Sequence, residues 1–199
     1  MKTTNILLVG VGGQGTILAS KILSSGLLEF GYDVKMAEIH GMSQRGGSVS
    51  TQVRFGKKIH SPVLEEGKVD VIISFEKMET YRWIKFLKED GIVVMNTYEI
   101  PSAPILSGNK KYPDGIIEEL SKRLEKFVFY DALDEAVKLG NFKVLNTIML
   151  GSLIKGMNLD GIDWDEIIKN NVKEKFIDIN IKAFNRGFEL YDNKLKGGK

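Results

Sequence analysis

The 199-residue chain contains no cysteine, which excludes disulfides, a thiol nucleophile, zinc-thiolate sites and any cysteine-held iron–sulfur cluster within it. Its histidines are only His40 and His60, too few for a histidine-rich metal site, and no metal ligand set is expected. An excess of charge of either sign is also lacking. Twenty-eight basic against 26 acidic side chains leave a formal net charge of +2, no mandate for binding nucleic acid, and the densest basic patch is the tail around Lys194 and Lys199. No apolar run approaches the ~20 residues needed to cross a bilayer, and the start of the chain leads directly into a strand pattern rather than a signal peptide. The expectation is a cytoplasmic protein that binds neither nucleic acid nor membrane. With 43% hydrophobic residues the chain can bury a sizeable core as a single domain spanning 1–199.

What the sequence does have is glycine at chosen places. Ile6, Leu7, Leu8 and Val9 form a continuous apolar run of the kind buried on both faces of a parallel sheet. They lead into Gly10, Gly12 and Gly15 on the G-x-G-x-x-G spacing, with Gly13 and Gln14 between. The first glycine permits a tight turn, the second lets a ligand or backbone approach, and the third lets the following helix pack on the strand. Bare amides at such a helix start suit an anion.

The rest of the pattern continues a strand–helix alternation. A helix is expected over about 14–30, a strand over 33–39, a glycine-rich loop from His40 to Gly47, and an alternating strand over 48–55. Gly56 would turn that strand towards a short partner at Ile59 and His60, an inserted hairpin. Further strands are expected over 69–75, 91–96 and 127–130, with helices over 76–88, from a cap at Asp114 to about 126, and over 131–139. The stretch 97–113 holds three of the four prolines and reads as an irregular excursion, with room for a small hairpin. Asp163 caps a short helix, and helices over about 143–193 close the chain. The fold class is therefore α/β: a Rossmann-like, doubly wound, mainly parallel sheet with an inserted hairpin and a C-terminal helical segment.

Two segments offer chemistry. Glu38 follows Gly15 by roughly 20 residues near a strand end, the spacing at which an acid binds a dinucleotide ribose, but the glycine-rich loop that follows would compete for the same space. That loop comprises His40, Gly41, Met42, Ser43, Gln44, Arg45, Gly46 and Gly47. Arg45 offers a permanently charged fork for carboxylate or phosphate, Ser43 and Gln44 offer neutral hydrogen bonds, and the glycines admit close approach. His40 and Arg45 are weak catalytic candidates. The loop equally suits a structural turn whose arginine pairs locally. Glu76, Asn96 and Thr97 sit at strand ends, where they fit either a crevice or helix starts.

Taken together, the Gly10–Thr16 turn, the Glu38–Val49 stretch with His-Gly-Met-Ser-Gln-Arg-Gly-Gly, Ser74-Phe-Glu76, the Gly140–Asn146 stretch followed by Leu150 and Gly151, and Asn180–Gly187 resemble the gamma-type domain of 2-oxoacid:ferredoxin oxidoreductases. The Arg-Gly-Gly loop is most similar to that of the indolepyruvate:ferredoxin oxidoreductase beta subunits. The resemblance implies oxidative decarboxylation of an aryl-2-oxoacid to an acyl-CoA, with electrons passed to ferredoxin. It implies that thiamine diphosphate, Mg2+ and [4Fe-4S] clusters belong to a larger partner subunit, with coenzyme A as co-substrate. It also implies that Gly10, Gly12, Gly13, Gln14, Gly15 and the loop from Gly41 to Gly47 face that partner or the coenzyme. A stand-alone NAD- or FAD-binding oxidoreductase and a non-catalytic regulatory subunit are the alternatives.

Overall fold

A computed structural model describes residues 3–40 and 47–196. Six strands form one sheet: β1 (Thr4–Val11), β2 (Asp33–His40), β3 (Ser48–Gly56), β4 (Val69–Ser74), β5 (Leu87–Asn96) and β6 (Lys126–Tyr130), in the spatial order β2-β3-β1-β4-β5-β6. The pairs β1–β4, β4–β5 and β5–β6 are parallel, while β3 runs antiparallel to both β1 and β2. The sheet is thus mainly parallel with an antiparallel insertion. The inserted hairpin is formed by β2 and β3 rather than by β3 and residues 59–60, which form no strand. The cause is burial. Val53 and Phe55 face the main core, so β3 gains more as an interior strand between β1 and β2 than as an outlying ribbon.

The period-two alternation of β1 divides the core into two layers. Ile6 and Leu8 face a large cluster shared with α1 (Thr16–Glu29), α5 (Ala132–Lys138), α6 (Leu145–Gly156), α7 (Trp164–Asn171) and α8 (Ile177–Lys196). Leu7 and Val9 face a smaller cluster, which includes Ile116 and Leu120 of α4 (Ile116–Arg123) and flanking residues of α2 (Lys77–Trp83). From Leu145 to Ile154 every residue of α6 is buried, as befits a helix that is apolar nearly all round and sits between the sheet and α8.

Three local expectations are revised. The helix after β4 ends at Trp83 instead of near residue 88. A 3-10 turn follows over Ile84–Phe86, and the next strand starts early, at Leu87, because Leu87 pairs with Val69 and Lys88 reaches the Asp70 carboxylate. The excursion over 97–113 contains a one-turn helix, α3 (Ala103–Leu106), rather than a hairpin. Gly115, in a left-handed conformation, occupies the cap of α4 in place of Asp114. Among the described residues no helix is long and apolar enough to cross a membrane.

Candidate functional site

The carboxyl ends of β1, β4, β5 and β6 meet the amino end of β3, and here side chains stitch the strand ends together. Gln14 folds back into the glycine turn. Its Oε1 accepts the Val11 N–H at 2.8 Å and its Nε2 donates to the Phe75 carbonyl at 2.7 Å. Gly10 is required for this arrangement, because a Cβ there would lie 2.9 Å from Gln14 Oε1 and 3.1 Å from Phe75 Cβ. The same Phe75 carbonyl accepts Asn96 Nδ2 at 3.1 Å, while Asn96 Oδ1 accepts the N–H groups of Ala132 and Tyr98. A continuous polar row thus crosses from β1 to the start of α5. Asn96 is fully buried, and its bonds to the Phe75 carbonyl and the Ala132 amide satisfy backbone groups that water does not reach.

Gly15 precedes α1 in a left-handed conformation (φ 81°), and Asn146 Nδ2 donates to its carbonyl at 3.2 Å. A Cβ on Gly15 would meet that nitrogen at 2.7 Å. The turn is therefore clamped from β4 through Gln14 and from α6 through Asn146. Gly13 is exposed at the tip with φ 103°, and among the described residues nothing lies within 4 Å of its Cβ position.

The second glycine segment meets the first. Gly12 N–H donates to the Gly47 carbonyl at 2.9 Å, and the register His40–Val49–Gly10 sets the end of β2, the start of β3 and the glycine turn side by side. Ser48 is anchored by its hydroxyl, which donates to Glu79, a nearly fully buried carboxylate on α2 that also accepts Trp83 Nε1. Gly41, Met42, Ser43, Gln44, Arg45 and Gly46 lie outside the described residues, as does the His40 side chain. Glu38 lies on β2, an antiparallel edge strand with β3 between it and β1. Two strand spacings, about 10 Å, separate it from the strand that carries the glycine turn. That differs from the adjacent parallel strand on which a dinucleotide fold places its ribose-binding acid.

Glu76 proves to be a structural group. Wholly buried, it caps α2 by accepting the Glu79 N–H at 2.9 Å, and its other oxygen accepts Tyr112 Oη at 2.6 Å and the Ile100 N–H at 3.1 Å. It thereby holds the excursion between β5 and α4 against the sheet. Burial, reinforced by the Glu76 carboxylate, pushes the Tyr112 hydroxyl well above the usual tyrosine range. A folded-state pKa above the unfolded one favours the fold below about pH 10, and that contribution is lost as the pH rises beyond it. Tyr130, fully buried and raised chiefly by burial, acts in the same direction. Thermal stability measured between pH 9 and pH 11.5 should therefore fall. In Tyr112→Phe the alkaline fall should be shallower, and an identical slope would show that the group does not titrate as described.

The groups assembled here are backbone amides, carboxamides and an exposed glycine tip. Glu79 and Asn146 gain roles that periodicity did not reveal. For Glu79 the available signal was an acid in the first turn of a helix, which reads equally as a response to the helix dipole. Among the described residues no group of three or more His, Asp or Glu is placed to hold a metal ion.

Known proteins share this chain's sequence pattern and fold. A family model described as pyruvate ferredoxin/flavodoxin oxidoreductase matches residues 5–190. The indolepyruvate oxidoreductase subunit IorB of Pyrococcus horikoshii is 40% identical, the match covering 98% of this chain and 99% of the relative. The pyruvate oxidoreductase subunit PORC of Thermotoga maritima shares the fold with a TM-score of 0.71 at 24% identity, covering 95% of this chain and 97% of that one. A 2-oxoglutarate:ferredoxin oxidoreductase chain of Magnetococcus marinus gives a TM-score of 0.73 at 18% identity, covering 97% of this chain but only 32% of the longer one. A match over nearly the whole length leads to one conclusion: the chain belongs to the pyruvate ferredoxin/flavodoxin oxidoreductase family.

Proposed function

We propose that this chain is the small subunit of a 2-oxoacid:ferredoxin oxidoreductase of the indolepyruvate type, and that it acts only together with a larger subunit. The complex would decarboxylate an aryl-2-oxoacid oxidatively, release CO2 and an acyl-CoA, and pass electrons to ferredoxin in the cytoplasm. The observation that carries this reading is the 40% identity to IorB over essentially the full length of both chains. The donor set supports the division of labour. A chain with no cysteine cannot supply the thiolates of a [4Fe-4S] cluster. In this reading thiamine diphosphate, Mg2+ and the clusters would belong to the larger subunit, with coenzyme A entering as co-substrate.

Within that complex this chain would contribute positioning. The Gly10–Gly15 turn and Gly47 lie together at one end of the sheet, held from behind by Gln14, Asn146 and the Ser48–Glu79 bond. Such an end suits closure over a partner's active site or contact with the coenzyme phosphates, with Arg45 as the charged fork. Arg45→Ala in the reconstituted complex should lower kcat/KM for the 2-oxoacid or for coenzyme A by about tenfold or more. Steady-state kinetics with each substrate varied in turn would read this directly, and unchanged kinetics would remove Arg45 from the account.

A further inference from the structure

Beside the glycine turn, on the helical side of the sheet, lies an open apolar groove of about 320 Å³. Leu18 of α1, Val144 just before α6, and Val172 and Phe176 between α7 and α8 form its walls. Three features set it apart. Its charged lining is Lys143 and Lys173 with no carboxylate, and neither lysine makes an ion pair among the described residues. The amino ends of α6 and α8 border it, and the positive ends of two helix dipoles add to the lysine charge. Exposed apolar side chains also neighbour the lining in sequence, Phe142 at 57% and Ile17 at 52%, while Phe176 of the wall is itself 37% exposed; Lys143 and Lys175 lie over the faces of Phe142 and Phe176.

A small ligand would leave those flanking aromatics in water. Exposed aromatics around an apolar pocket, with lysines confined to the rim, are instead the make-up of a protein interface. The groove is also coupled to the glycine turn. Asn180, which lines it, accepts the Thr147 hydroxyl at 2.6 Å, and the neighbouring Asn146 holds the Gly15 carbonyl.

We infer that this groove docks an acidic segment of the larger subunit, an apolar anchor filling the space between Leu18 and Phe176 while Asp or Glu side chains meet Lys143 and Lys173. The inference rests on the subunit reading above and adds the surface and the chemistry by which the partner is held.

The test is association of the full-length chain with its co-expressed larger subunit, measured by titration at two salt concentrations. Lys143→Glu/Lys173→Glu should raise the dissociation constant by about tenfold and abolish much of its salt dependence. Phe176→Ala should weaken binding at both salt concentrations. Lys110→Glu, an exposed change on the opposite excursion, should leave affinity unchanged. Circular dichroism and thermal midpoints close to those of the original chain would show that the variants fold. If both groove variants bind as tightly as the original chain, this docking inference is overturned while the subunit reading stands. If the groove variants disrupt only self-association, a second copy is the occupant and the inference is again overturned. If the unaltered chain does not associate with the larger subunit at all, the subunit reading falls and takes the inference with it.

Discussion

Gly187→Ala should destabilise the chain by about 3 kcal/mol, a substantial part of the ~5–15 kcal/mol that holds a typical domain folded. Helix propensity argues the other way, since alanine in a helix interior is worth about 1 kcal/mol more than glycine. Packing decides the sign. A Cβ on Gly187 would lie 2.0 Å from the Ile148 carbonyl oxygen and 2.9 Å from the Ser152 amide, and both are backbone atoms of a fully buried helix. Gly151 faces the same crossing, where its Cβ would lie 2.1 Å from the Phe184 carbonyl oxygen. No rotamer relieves such an overlap, so α6 and α8 must separate. Separation also strains the Ser152 hydroxyl, which bonds the Gly187 carbonyl at 2.6 Å and Tyr130 at 2.7 Å. Urea unfolding of Gly187→Ala, with Gly161→Ala as the control at a site where a Cβ meets nothing within 4 Å, measures this. A stabilised Gly187→Ala would mean that propensity outweighs packing and that the helices cross further apart than described.

Glu76→Ala is the second large effect, again about 3 kcal/mol. Loss of a helix N-cap costs about 1 kcal/mol, and leaving the Tyr112 hydroxyl and the Ile100 amide without their acceptor adds roughly 1–3 kcal/mol. Because the two lost partners belong to the 97–113 excursion, that excursion should loosen before the sheet does. Hydrogen exchange should show faster exchange at Ile100 and Met78, whose amide donates to Tyr112, with β1 and β4 unaffected. Glu76→Gln retains an acceptor oxygen and should lose less. Equal stability in Glu76→Ala and the original chain would contradict the assignment of Glu76 as a structural tie.

The frame was legible wherever local chemistry and long-range burial agreed. The apolar run at Ile6–Val9, the glycine turn after it and the Asp163 cap follow from patterns within a few residues, and the structure places them accordingly. What escaped the sequence reading was decided by partners distant along the chain. Whether β3 pairs with β2 or with residues 59–60 depends on Val53 and Phe55 finding α1 across the sheet. Helical periodicity continues past Trp83, yet strand pairing of Leu87 with Val69 wins. At the site, Asn146 was visible only as part of a resemblance, because its bond to Gly15 spans 131 residues. The ambiguity of Glu76 between crevice and helix start was resolved in favour of the helix, since its acceptor oxygens are occupied by the Glu79 and Ile100 amides and the Tyr112 hydroxyl.

The central claim is that this chain completes an oxidoreductase it cannot replace. The most direct measurement is coenzyme A-dependent reduction of ferredoxin by the larger subunit with and without this chain, across indolepyruvate, phenylpyruvate, pyruvate and 2-oxoglutarate. The account predicts no turnover by either chain alone, and turnover by the complex that is strongest on the arylpyruvates. Full activity of the larger subunit alone, or oxidation of a 2-oxoacid by this chain alone, would contradict it.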